Sequence, residues 1–140
     1  MRTLTSSGDV YFALDGDEFE PDEVSDCIGL AATEVRRKGS KRIGPPPLPR
    51  SSAWSFSLGR IEDDVIDVYA MAEALIDQLL PYVGRIVEVK AKFGLTCRLQ
   101  VVLWIDQDES KSMPALGFEH KVIDFLHATG ATIDIDTYRN

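Results

Sequence analysis

The chain has 140 residues, with 15 Lys or Arg against 23 Asp or Glu, a net charge of −8 and an isoelectric point near 4.7. Its length suits one domain over residues 1–140 with a sizeable core. The acidity weighs against nucleic acid, which binds through phosphate neutralisation, and against anionic membrane surfaces. Residues 1–20 lack the apolar core of about 7–15 residues of a secretory leader, and no run approaches the ~18 apolar residues of a membrane span, so the expected compartment is the cytoplasm.

Residues 10–14 are a short strand candidate, followed by the acidic stretch DGDEFEPDE. Pro21 fits the first turn of a helix, and Asp22 and Glu23 suit the positive end of its dipole. Val24, Cys27 and Ile28 give the i, i+3, i+4 stripe and Gly29 a natural stop, so a helix is predicted over residues 21–28. Residues 33–37 read as a strand running into the turn at Lys38–Gly39. In residues 53–58, Trp54, Phe56 and Leu58 alternate with serines, the period of a half-buried strand.

The strongest helical pattern covers residues 62–80, with Val65, Val68, Tyr69, Ala72, Leu75, Ile76 and Leu79 on one face and Glu62, Asp63 and Asp64 at its start. Pro81 interrupts it, and a second segment runs over residues 82–93, with Val83, Ile86, Val87 and Phe93 inward and Gly94 as its stop. Residues 96–106 are the clearest strand: Cys97, Leu99, Val101, Leu103 and Ile105 alternate with Arg98, Gln100, Val102 and Trp104. A loop, DQDESKSMP, leads to a helix over 119–129, with Val122, Phe125 and Leu126 inward and Gly130 beyond its end. The last strand, ATIDIDTYR, puts Ile133 and Ile135 on one face and Asp134, Asp136 and Tyr138 on the other.

The order β-α-β-β-α-α-β-α-β predicts an α+β two-layer sandwich. Its mainly antiparallel five-stranded sheet carries helices on one face, with a ferredoxin-like βαββαβ core and a C-terminal α-β extension. FALDGDEFEPDEVSDCIGL, TEVRRKG, WSFSLG, the broken helix ending KAKFG, the alternating strand and the closing HATGATIDIDTY occur in the order and spacing of a known set. In these residues, from about 10 to 138, the chain resembles the bacterial family called domain of unknown function DUF4279. The resemblance implies a small intracellular α+β protein and transfers no activity, cofactor or catalytic residue. The loop GSKRIGPPPLPRSS is individual to this chain. Small stand-alone bacterial domains of this type include suspected immunity and interaction proteins.

Candidate chemistry is sparse. Asp134 and Asp136 lie about 7 Å apart on one strand face and could serve a metal-dependent enzyme. No third ligand is evident, and an amphipathic strand paired to Arg98 accounts for the same residues. DGDEFEPDE fails the calcium-loop pattern, because Phe19 and Glu20 stand where a ligand and Gly are needed. His120 and His127 share a helix face but sit about 10 Å apart along its axis, too far to share one metal. Cys27 and Cys97 have no CxxC spacing, and phosphate-loop and GxSxG motifs are absent. No cofactor, metal or catalytic residue is assigned.

The window VRRKGSKRIGPPPLPRSSAWSFSLGR holds seven of the fifteen basic residues and no acid. Its Arg36, Arg37, Lys38, Lys41, Arg42 and Arg50 surround a proline-rich loop, residues 38–52, read as a stiff extended polyproline arm. The window is expected to stand apart from the acidic remainder and make the molecule dipolar. These six residues, with Asp134 and Asp136, are the candidate partner-binding residues. The leading expectation is a non-catalytic interaction domain, in concrete form an immunity protein that neutralises a basic toxin. The alternative is a small-molecule or nucleotide-binding domain using the basic loop, and symmetric homodimerisation stays open.

Overall fold

In the computed structural model, which describes residues 5–140, the periodic segments become six strands and four helices. Residues 1–4, the start of the segment read for a leader, lie outside the described residues. The strands are β1 (Ser6–Gly16), β2 (Glu34–Arg36), β3 (Ser52–Ser57), β4 (Ile61–Asp63), β5 (Thr96–Ile105) and β6 (Thr132–Arg139). The helices are α1 (Pro21–Ile28), α2 (Val68–Leu79), α3 (Val83–Phe93) and α4 (His120–Thr129), and a 3₁₀ turn containing Pro81 joins α2 to α3.

One sheet runs in the order β2-β3-β1-β5-β6, with β4 also paired to β1. All pairings are antiparallel except β5–β6. The fold is thus α+β, with a mixed, mostly antiparallel sheet and helices packed on one face. The alternation read from the sequence sets that face: Phe12, Leu14, Trp54, Leu99 and Val101 are fully buried and meet Leu75, Ile76, Ile86, Val122 and Phe125 from the helices. Phe12 and Phe125 pack edge to face at 5.3 Å. Trp54 donates its indole N–H to Ser25 Oγ at 2.9 Å, so the largest core side chain brings no unsatisfied donor inside.

Several boundaries differ from the expected ones. The helix expected over 62–80 begins only at Val68. Residues 61–63 form β4 instead, the sixth strand, and the helix is capped by Asp67, whose side chain accepts the Ala70 N–H at 3.2 Å. Between the pairs Tyr11–Ser57 and Gly8–Ile61, β1 spends two residues where β3 and β4 spend three. This bulge is turned by Gly59 at φ 107°, and it carries the chain along β1 for three more pairs before any helix can start. The backbone of Ile66 and Val68 is also tied to Ala115, by 2.9 Å bonds in each direction. Val65, Tyr69 and Val87, expected inside, are over a third exposed, while Ile66 and Val89 are buried. Helices α1, α3 and α4 do stop at Gly29, Gly94 and Gly130, each left-handed.

Candidate functional site

The helix-free face of the sheet carries Arg36, Arg98, Asp134 and Asp136 of the residues singled out for chemistry. The register aligns Arg36, Ala53 and Asp15 in one row, Glu34, Ser55, Ala13 and Arg98 in the next, then Tyr11, Gln100 and Asp134, then Asp9, Val102 and Asp136, and last Ser7, Trp104 and Tyr138.

At one end, Asp15 accepts from Arg98 Nε at 2.9 Å and Nη2 at 3.1 Å, a two-pronged pair, and lies 3.9 Å from Arg36. Arg98 Nη1 donates to Gln100 Oε1. The hydrogen bonds to Asp15 hold the Arg98 guanidinium above its ordinary range, against partial desolvation. Arg98 therefore serves Asp15 and not Asp134 or Asp136, because its register neighbour on β6 is Thr132. At the other end, the Arg60 guanidinium lies 3.7 Å from the Trp104 ring centre and donates twice to Ser7 Oγ. Trp104 stacks on Tyr138 at 6.1 Å.

The basic window spans the end of β2, the hairpin to β3, β3 itself and Arg60 beyond it, and its first three cations do not stand apart from the acids. Arg37 Nη2 is 2.8 Å from Glu20 and 3.1 Å from Asp22, and Lys38 is 3.0 Å from Asp17. Arg36 also donates to Ser51. The stretch DGDEFEPDE thus has two roles: Glu20 caps α1 through the Asp22 N–H and holds Arg37 as well. The Arg37 hydrogen bond is the main reason that the Glu20 carboxyl sits below its usual range. Three of the window's seven cations thus meet carboxylates, which reduces the expected charge separation at the base of the hairpin.

Nor is the proline loop an extended arm. The Lys41 and Arg42 N–H groups both donate to the Leu48 carbonyl at 2.9 Å, and the Leu48 N–H returns to Arg42 at 2.8 Å, closing residues 42–48 into a small loop. Arg42 is turned inward onto the Pro45 carbonyl at 2.7 Å. Lys41 and Arg50 remain exposed. Between hairpin and sheet lies a hollow of about 460 Å³ whose lining includes Tyr11, Arg36, Arg37, Lys41 and Arg98.

Asp134 and Asp136 sit on β6, the far edge of the sheet. Asp136 accepts from Gln100 Nε2 at 3.1 Å, and Asp134 makes no ion pair among the described residues. No group of three or more His, Cys, Asp or Glu that could hold a metal occurs among the described residues. His120 and His127 are exposed at opposite ends of α4. Both cysteines are free thiols, and burial pushes Cys97 up to about 11, the wrong direction for a nucleophile at neutral pH.

Sequence reading missed Asp15 and Arg60. Asp15 was legible in principle, since it shares the odd-numbered face of β1 with Tyr11 once the strand is extended to Gly16. Arg60 had no local signal, because only the bulge at Gly59 brings it over Trp104.

Fold and site define an α+β domain whose open sheet face is knitted by ion pairs and aromatic stacking. Residues 4–140 match the family described as Domain of unknown function (DUF4279), and the chain belongs to that family. No curated protein and no solved structure matches it. No helix among the described residues is long and apolar enough to cross a membrane.

Proposed function

We propose that the protein is a non-catalytic interaction domain, in its concrete form an immunity-type protein that binds and neutralises a basic toxin in the cytoplasm. The carrying observation is how charge is spent. Asp15, Asp17, Glu20 and Asp22 already engage Arg36, Arg37, Lys38 and Arg98, yet the chain keeps a net charge of −8. The remaining excess of acid favours encounter with a basic protein and disfavours nucleic acid and anionic membranes. Among the described residues, a single hydrophobic cluster drawing on β1, β3, β5 and all four helices supports reading residues 1–140 as one domain. The strand order β2-β3-β1-β5 supports a ferredoxin-like core extended by α4 and β6.

A toxin-neutralising role is tested by deleting the protein from its native cell and growing the deletant beside wild-type siblings. The expected result is loss of the deletant, prevented by resupplying the chain. Equal survival of deletant and wild type contradicts the role.

The hollow beside the hairpin favours a second reading, a small anionic ligand or nucleotide held by Arg36, Arg37 and Lys41. It predicts a rise in Tm with added nucleotide that Arg36→Ala with Arg37→Ala removes. The existing ion pairs of Arg36, Arg37 and Arg98 place this reading second.

A further inference from the structure

The outer edge of β6 is built unlike the other edge of the sheet. β2, at the far side, has three residues, and its Arg36 is tied to Ser51 and Asp15. β6 has eight, all exposed, with no Gly or Pro to interrupt them, and among the described residues it pairs only with β5. Its outer row of backbone N–H and C=O groups is therefore a template for a further strand.

The side chains along this edge alternate in chemistry. Toward the helices, Ile133 and Ile135 are 44% and 39% exposed. Ile133 and Ile123 of α4, 50% exposed, border a mainly apolar hollow of about 400 Å³ between α4 and β6, and Ile135 lies two residues further along the same face of the strand. Toward the open face stand Asp134 and Asp136.

A second copy of β6 is a poor occupant. In the two longest antiparallel self-registers that keep both sets of helices on one side, centred on Ile135 and on Asp136, Asp134 faces Asp136 or Asp136 faces its own copy. Like charges directly opposite one another disfavour both.

We infer that this edge takes up an extended strand of a partner protein in which basic residues alternate with apolar ones. The basic residues lie against Asp134 and Asp136, and the apolar residues lie over Ile133, Ile135 and Ile123. Main-chain hydrogen bonds hold the strand, and the period-two pattern selects it. This inference rests on the interaction reading above and names the place and mode of binding.

The test is an amide-resolved NMR titration of the full chain with a synthetic peptide of alternating Val and Lys. Three comparisons accompany it: the same peptide N-methylated at alternate residues, a Val–Glu peptide, and the chain carrying Asp134→Asn with Asp136→Asn. Shifts are expected along residues 132–139 and the facing part of α4. The N-methylated and Val–Glu peptides should bind at least about tenfold more weakly, and the double variant several-fold more weakly. Equal binding of the N-methylated peptide overturns the inference, as does a β6-paired dimer of the free chain. Shifts centred on residues 15–23 overturn the edge while leaving the acidic interaction reading in place. No shift with the Val–Lys peptide overturns the edge, and the deletion experiment then judges the broader reading alone.

Discussion

Asp15 organises the open face at the level of single residues, and its removal reaches further than its own side chain. Asp15→Ala leaves the half-buried Arg98 without its two-pronged partner, and a loss of about 2 kcal/mol is expected in urea denaturation, the cost typical of hydrogen bonds to a charged group. Arg36→Ala, which breaks an exposed 3.9 Å pair and two exposed hydrogen bonds to Ser51, should cost under about 1 kcal/mol. Asp106 makes a second prediction. The Asp108 N–H, and then Lys111 at 3.0 Å, hold its carboxyl below the usual range. A depressed carboxyl contributes stability above its unfolded pKa, about 4, and loses it as pH falls through the folded value. The Tm of the native chain should therefore fall more steeply below pH 4 than that of Asp106→Asn, as followed by circular dichroism (pH 4 being about the unfolded value). The cysteines separate in the same spirit. At about pH 8 a thiol-reactive disulfide should modify half-buried Cys27 in the folded chain and reach Cys97 only on unfolding.

The start of α2 tests the account at the level of elements. Asp67→Ala removes the cap and should cost about 1 kcal/mol. Glu62→Gln and Asp63→Asn, on β4, should each change stability by less than about 0.5 kcal/mol, although the sequence pattern alone places them at the head of the helix. The contrast shows where legibility ended. Elements with strict period and local punctuation were readable: α1 between Pro21 and Gly29, β5 through its alternation, and α3 and α4 up to Gly94 and Gly130. β4 was not, because its stability comes from pairing with the far end of β1, a contact over fifty residues in sequence that a local window does not contain. The same limit hid the partners of the basic window. Composition showed the cluster, but only the sheet order brings residues 15–22 against residues 36–38. The facing of Ile133 and Ile135 was correct from alternation, while their exposure follows from β6 lying at the edge, beyond the cover of the helices.

At the scale of the whole molecule the account comes down to charge and an uncovered edge. Arg36, Arg37 and Lys38 of the hairpin are answered from within, and with a net charge of −8 for the whole chain an approaching protein meets a field in which carboxylates predominate. Attraction of that kind is screened over a Debye length, about 8 Å at physiological ionic strength, so binding should weaken as salt rises. The most direct measurement is affinity capture from lysate of the native cell with the full chain as bait, at low and at high salt, read by mass spectrometry. The account predicts one stoichiometric partner of basic character, strongly reduced at high salt. A partner retained equally at both salts, or a bait that captures nothing at either, would contradict it.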